Sequence, residues 1–595
     1  MCGLSGEFRF DGAEADIGAV GRMTDAMHDR GPDGSGLWAQ GAVAMGHRRL
    51  KIIDLSEKAA QPMVDAGLGL AVVFNGCLYN YRELREELRG AGYRFYSTSD
   101  TEVLLKAYHR WGAGCVGHFK GMFAFAIHER DSGRLVLGRD RLGIKPMYVS
   151  HDARRLRFAS TLPALAAGGG LDTGIDRVAL HHYMTFHSLV PGERTILAGV
   201  RKLPAATVRV VEADGTSTDH RYWDPPYTRS AMPEHAGLSE QEWRRATLDA
   251  LRTAVRRRMV ADVPVGVLLS GGLDSSLIVA LLAEEGQSGL TTFSIGFEAA
   301  GGEQGDEFAY SDLVAGRFGT DHHRIRIPGD RLLDGLERAV GAMSEPMASH
   351  DCVAFYLLSQ EVARHVKVVQ SGQGADEVFA GYSWFPPLAG VPRERAAEVY
   401  CREFADRPHQ ELSGVLAPGY LLDRDVSGDF VREHVARPGA DTALDAVLRL
   451  ETTAMLIDDP VKRVDNMTMA HGLEARTPFL DHDLVELAAA CPDGLKLAHG
   501  GKGVLKDAAR RLLPARIVDR PKGYFPVPAV RHVEGALLDL VRDALTSGAA
   551  RARGLFRPEF VRRLLADPES DRATTGVNTL WQIGLLELWL QAHQM

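Results

Sequence analysis

A cysteine stands second in the chain, in Met1-Cys2-Gly3-Leu4-Ser5-Gly6, and loss of one residue would put a thiol and a free α-amine on one amino acid. The ordinary pKa is near ~8.5 for the thiol and ~7.7–8.0 for the amine, so the amine can take the thiol proton and leave a nucleophile. Four polar clusters follow at strand ends or turns: Arg30-Gly31-Pro32-Asp33, His47-Arg48-Arg49-Leu50, Asn75-Gly76 and Ser99-Asp100. Attack of a thiolate on a carboxamide needs donors for the tetrahedral oxyanion, which Asn75 and the backbone amide of Gly76 can supply. A free amino acid also needs handles for its two charges. Arg49 can clamp an α-carboxylate in bidentate fashion, and Asp100 can bind an α-ammonium. Taken singly, Asn75-Gly76 is a hairpin turn and Arg30–Asp33 a loop. In this order behind an early cysteine they describe a site that hydrolyses the amide of an amino acid.

A second cluster lies far along the chain, in Val267-Leu268-Leu269-Ser270-Gly271-Gly272-Leu273-Asp274-Ser275-Ser276. Two glycines and three hydroxyl residues between a buried strand and a helix start expose backbone N–H groups and a positive dipole end to an anion. The run lacks the Gly-Lys-Ser ending of a Walker A loop, so simple γ-phosphate transfer is not its natural chemistry. Asp274 suits a magnesium ion bridging phosphates.

Two kinds of scaffold must position these clusters. Residues 1 to about 222 read as α+β, with strands at 3–10, 42–50, 68–75, 122–128, 134–139 and 206–211 and helices at 17–28, 81–89 and 101–111. Residues 223–239, rich in proline and poor in periodicity, read as a linker. From 240 onward strand and helix alternate: strands at 263–269, 291–297, 323–327 and 366–370, helices at 275–285, 308–318 and 331–342. That alternation predicts a parallel, doubly wound α/β sheet covered on both faces. The rest, to residue 595, is mostly helical and closes on an apolar run at 580–590.

With 595 residues the chain exceeds a single core, and a net charge of -9 from 69 basic and 78 acidic side chains argues against nucleic acid as partner. The six cysteines (Cys2, Cys77, Cys115, Cys352, Cys401, Cys491) form no C-x-x-C pair, which points away from zinc and disulfides and toward a reducing cytoplasm. No stretch has the ~18 apolar residues of a membrane span. Small-molecule substrates are the expected partners, and a homodimer stays open.

Through MCGLSGE, RGPD, HRRLKIID, QPM, FNG and SDTE, the first part resembles the N-terminal-nucleophile glutaminase domain of the glutamine-dependent asparagine synthetase family. The resemblance implies that Cys2 forms a γ-glutamyl thioester and releases ammonia, with Arg49, Asn75, Gly76 and Asp100 binding glutamine. The loop Leu269–Ser276, with Leu269, Ser270, Gly271, Gly272, Asp274 and Ser275, resembles the pyrophosphate-binding motif of the ATP pyrophosphatases, the synthetase half of the same family. Its enzymes use ATP and Mg2+ to adenylate a carboxylate. By the same resemblance, Phe293-Ser294-Ile295-Gly296 backs the adenine, and Ser371-Gly372-Gln373-Gly374-Ala375-Asp376-Glu377 is a second nucleotide loop. Asp376 joins Asp274 as a metal or pyrophosphate partner. Arg476-Thr477-Pro478-Phe479-Leu480-Asp481 is another shared block, and Lys522, in Arg520-Pro521-Lys522-Gly523, resembles a catalytic lysine that reaches the phosphates.

Two departures bear on the substrate. Where the family commonly reads Asn-Gly-Glu, this chain has Asn75-Gly76-Cys77, which removes a carboxylate near the glutamine α-ammonium. Where it usually reads Ser-Gly-Glu-Gly, this chain has Gln373, and an amide is no general base. Glu345, Glu377 and Asp351 are unranked candidates for that role. Together with Tyr524–Pro528, these variant blocks look most like a bacterial branch known as N-acetylglutaminylglutamine amidotransferase, which implies amidation of an acetylated dipeptide and synthesis of a compatible solute. Asparagine synthetase, acting on aspartate, is the alternative.

Overall fold

The computed structural model describes residues 2–287, 289–298, 305–329, 331–349, 351–521, 532–574 and 576–595. Its first part holds strands β1 (Gly3–Arg9), β2 (Gly34–Gln40), β3 (Val43–Arg49), β4 (Met63–Asp65), β5 (Leu70–Leu78), β6 (Gly121–Glu129), β7 (Arg134–Arg139), β8 (Tyr148–His151), β9 (Arg155–Ala159), β10 (Arg201–Lys202), β11 (Thr207–Val211) and β12 (Ser217–Arg221). They form two antiparallel sheets, ordered β10-β8-β9-β1-β3-β2 and β12-β11-β7-β6-β5-β4. Alternation along each strand decides the layering. Leu4 and Phe8 of β1 meet Ala71 and Val73 of β5 in a core between the sheets. Their neighbours Val72 and Phe74 face outward, in one core with Val103 and Leu104 of the helix Asp100–Trp111. Ala44 of β3 meets Val20 and Met23 of the helix Ile17–Asp25 on the opposite side. The result is a helix–sheet–sheet–helix sandwich.

After Arg221 the architecture changes. β13 (Val265–Leu268), β14 (Thr291–Phe297), β15 (Asp321–Ile327), β16 (Val368–Gln370) and β17 (Glu474–Arg476) form one sheet ordered β15-β14-β13-β16-β17. Every pairing in it is parallel. Successive residues of β13 and β16 enter different cores. Val267 and Val368 pack with the helix Leu273–Glu284, whereas Leu268 and Val369 pack with Arg331–Ala342 and Asp351–Val362. Helices therefore cover both faces, as a sheet of continuous apolar strands requires. The order reverses at β13, so the crevice beyond the carboxyl ends of β13 and β16 is the switch point where such sheets bind ligands.

The segment after Tyr222 is docked rather than loose. Trp223 Nε1 donates to Glu486 at 2.6 Å, and Tyr227 is buried against Thr452 at 2.8 Å. Ser239 then caps the helix Glu240–Arg257 through a reciprocal bond with Glu242. The C-terminal helix Thr579–Ala592 is apolar nearly all round because it is buried all round. Trp581 and Trp589 donate to Ala348 O and Met343 O, and Tyr183 of the first part donates to Gln582 O at 2.8 Å. Among the described residues no helix is long and apolar enough to cross a membrane.

Candidate functional sites

Cys2 enters β1 at the mouth of a cavity of about 400 Å³. Arg49, Gly76, Cys77 and Asp100 line it as well, together with Gln61, Ser99 and Glu474. Cys2 N donates to Asn75 Oδ1 at 3.1 Å, while Asn75 Nδ2, fully buried, has no hydrogen-bond partner among the described residues. A buried amide N–H left unmade beside a thiol is costly unless a ligand oxygen meets it. Gly76 is required where it stands, since a Cβ there would lie 2.2 Å from Met122 O on β6. Burial pushes the Cys2 thiol up, so a local base is needed to make the thiolate. His47 is a poor one. Its Nε2 faces Phe74 O at 3.1 Å, and burial drives the imidazole down to about 3.

The Arg49 guanidinium is held by two carbonyls, Ser56 O at 2.8 Å and Asp54 O, which fixes its plane at the cavity edge. Asp100 begins the helix that Ser99 caps, and its Oδ2 accepts from Leu78 N at 3.1 Å. Burial, with Glu474 nearby, raises its carboxyl to about 6. Arg30 and Asp33 have other duties. Arg30 pairs with Asp465 at 2.9 Å and Asp33 with Lys367 at 2.7 Å, both across to the second part of the chain.

The second cavity, about 850 Å³ and open to solvent, occupies the switch point. Leu269, Ser270, Gly272, Asp274, Ser275, Ile295, Ser371, Gly372 and Asp376 line it, as does Gln373. Gly271 makes the turn rather than the wall: its φ is +72°, and a Cβ would stand 2.5 Å from Ser311 N. Asp274 and Asp376 both grip Lys502, whose Nζ lies 2.7 Å from Asp274 Oδ2 and 2.8 Å from Asp376 Oδ1. Burial alone would lower this lysine. The two carboxylates outweigh it and hold the ammonium well above the lysine range. Two carboxylates already gathered around one cation beside a phosphate turn are the donor set a hard dication takes.

None of Glu345, Glu377 and Asp351 lines this cavity. Glu345 is buried with Lys462 at 3.3 Å, Glu377 accepts from Tyr382 OH at 2.6 Å, and Asp351 lies 3.7 Å from Arg463. Besides Asp274 and Asp376, the acid among the described lining residues is Glu307. Lys522 and the Tyr524–Pro528 block lie outside the described residues. Lys502 and Glu474 escaped the sequence reading. The signal for Lys502 was Gly500-Gly501-Lys502-Gly503, a turn in which Lys502 takes φ +55°; the signal for Glu474 was its place two residues before the Arg476 block.

Comparison with known proteins settles the lineage. A glutamine amidotransferase domain model matches residues 1–223, and an asparagine synthase model matches residues 246–591. The chain belongs to the asparagine synthase family. It is 30% identical to glutamine-hydrolysing asparagine synthetase 1 of Bacillus subtilis, over 96% of this chain and 93% of that one. Asparagine synthetase 3 of the same organism is 33% identical, over 90% and 88%. A putative glutamine-hydrolysing asparagine synthetase of Mycobacterium tuberculosis is 33% identical, over 99% and 97%. Membership of this family makes the chain a glutamine-hydrolysing, ATP-dependent ligase. Its two parts are an N-terminal-nucleophile glutaminase sandwich and a doubly wound synthetase sheet with a helical C-terminal region.

Proposed function

We propose that Cys2, freed by loss of Met1, attacks the side-chain amide of glutamine, releasing ammonia and leaving a γ-glutamyl thioester that water cleaves to glutamate. The observation that carries this reading is the buried, unpartnered Nδ2 of Asn75 beside Cys2, which with the Gly76 amide receives the oxyanion. Arg49 clamps the α-carboxylate and Asp100 takes the α-ammonium. The Cys2 α-amine is the base, since burial drives His47 down to about 3, too weak a base to hold the thiol proton. We place the boundaries at 1–222 for the glutaminase domain, 223–239 for the linker and 240–595 for the synthetase domain.

At the second cavity, the turn Ser270–Ser275 and Ser371-Gly372 cradle the phosphates of ATP, and Ile295 backs the base. The acceptor carboxylate attacks the α-phosphorus and pyrophosphate leaves; ammonia then attacks the acyl carbon and AMP leaves. Asp274 and Asp376 would hold Mg2+, which offsets phosphate charge when bound. Lys502 orders the two carboxylates, and Lys522 is the further phosphate partner.

The acceptor in this reading is N-acetylglutaminylglutamine, amidated at its C-terminal carboxylate in the cytoplasm to give an osmoprotectant. Gln373 supports it: an amide lines the cavity where an acid would be needed as base or as countercharge. Aspartate carries an ammonium and a second carboxylate and needs fixed countercharges, whereas the acetylated dipeptide offers neutral amides that a neutral side chain can pair. The names of the relatives favour a second reading, aspartate to asparagine. Following pyrophosphate release with ATP, glutamine and a panel of carboxylates separates them. The dipeptide should drive release far better than aspartate; faster turnover of aspartate, with asparagine as product, would put the second reading in its place.

A further inference from the structure

Two imidazoles and a carboxylate from three distant segments meet where the two parts of the chain join. His181 lies on the helix Arg177–Thr185 of the glutaminase part, whereas His409 opens the turn His409–Gly414 and Asp425 caps the helix Val426–Ala436, both in the synthetase part. One ligand atom from each, an imidazole nitrogen or a carboxylate oxygen, lies within 4.8 Å of the other two. His181 Nε2 and His409 Nδ1 face each other at 3.0 Å. Two nitrogens on one tetrahedral zinc ion, with bonds of ~2.0–2.1 Å, stand roughly 3.3 Å apart, so the rings are close to that spacing as they stand. The other nitrogen of His181 is held by Ser427 Oγ at 2.7 Å, which fixes the ring and its aim, as the outer partner of a metal-bound histidine does. His181 is 1% exposed, while His409 and Asp425 are half-buried and give the site an entry from solvent.

A ring-to-ring hydrogen bond and a helix cap account for these contacts one at a time. A metal accounts for them together, and it displaces only the bond between the rings. Asp425 caps with Oδ1, which accepts from Gly428 N at 2.9 Å, and has a second oxygen to offer. Ser427 Oγ stays on His181 Nδ1 and donates its own proton to His182 Nδ1 at 2.9 Å. The proton between the rings passes to His409 Nε2, the other tautomer. The Arg432 guanidinium also acts on Asp425, but it pairs with Asp429 at 2.7 Å. We propose that His181, His409 and Asp425 bind a late first-row divalent cation of the zinc type, with water in the fourth position, as a staple between the glutaminase helix and the synthetase part. Two imidazoles and one carboxylate suit zinc, whereas magnesium and calcium take oxygen donors. A cysteine pattern does not reveal such a site, since its ligands are not thiolates and its two histidines lie 228 positions apart.

The test strips the full chain with a chelator and titrates it with zinc by calorimetry, then with cobalt(II), whose visible bands report four-coordinate geometry. Excess magnesium keeps the Asp274 and Asp376 carboxylates out of the measurement. The parent chain should take up one equivalent of zinc at micromolar concentration. His409→Ala and Asp425→Asn should hold it at least about 100-fold more weakly, beyond the roughly 10- to 100-fold that Ser427→Ala should cost as an outer partner. A misfolded variant would also lose the metal, so His409→Cys decides: it keeps a zinc ligand and should keep the ion. No uptake by the parent, undiminished uptake in His409→Ala or Asp425→Asn, or loss in His409→Cys overturns the inference.

Discussion

Asn75 divides its amide between two tasks. Its Oδ1 accepts from Cys2 N, and in the proposed reaction its buried Nδ2 receives the oxyanion. Asn75→Ala should lower kcat for glutamine hydrolysis about 100- to 1,000-fold, measured as glutamate formed, the usual loss for one oxyanion donor. Asp100 predicts a pH dependence. Its carboxyl titrates at about 6, and only the carboxylate binds an ammonium, so kcat/KM for glutamine should fall as pH drops through about 6 and level off above it. Asp100→Asn should lower the plateau and erase that inflection; a profile unchanged by the substitution would remove Asp100 from binding. The stability sign is opposite. With a folded pKa raised above the unfolded one, Asp100 adds stability below the ordinary carboxylate pKa and loses it as pH rises through about 6. At this scale the sequence pointed to residues that the structure gathers around one cavity, since Cys2, Arg49, Gly76 and Asp100 all line it. Glu474 was not readable, since a carboxylate that lines the cavity from 398 positions beyond Gly76 leaves no local spacing to detect.

Among the elements, the turn after β13 carries the second site. Gly271→Ala should strain it, since a Cβ at positive φ would meet Ser311 N at 2.5 Å. A cost of about 1–3 kcal/mol would weaken ATP binding roughly 5- to 150-fold, readable by calorimetric titration, with ammonia release from glutamine unaffected. Lys502→Met removes the cation between Asp274 and Asp376. Pyrophosphate release should fall about 100-fold or more, and normal turnover in that variant would show that the carboxylates need no ordering. Long periodic elements were legible: 134–139, 291–297, 308–318 and 331–342 coincide with β7, β14, Phe308–Phe318 and Arg331–Ala342. β2 was missed because Gly34-Ser35-Gly36 breaks its pattern. β17 was missed because three residues, two of them charged, become a strand only by pairing with β16. Both failures have one cause. Tertiary pairing overrides local propensity.

Across the whole molecule, the two parts are joined through buried charge. Asp465 lies between Arg30, at 2.9 Å, and Lys145, at 3.1 Å, all three nearly inaccessible. Arg30 also donates to Cys2 O at 3.4 Å, so the same joint touches the nucleophile. Asp465→Ala would leave two buried cations unpaired and should cost about 3–5 kcal/mol of stability, seen as a lower urea midpoint. The sequence grouped Arg30 and Asp33 with the glutaminase motifs without giving either a role; their partners Asp465 and Lys367 give them one in the joint. Such a joint holds two cavities in one fixed relation, as a glutamine-hydrolysing ligase must if ammonia made at one is used at the other. That division of labour is tested most directly by Cys2→Ala, with pyrophosphate release and amide product followed in parallel with glutamine and with an ammonium salt. Synthesis supported by glutamine should vanish while synthesis supported by ammonium persists. Loss of both, or survival of the glutamine-supported reaction, would contradict the account.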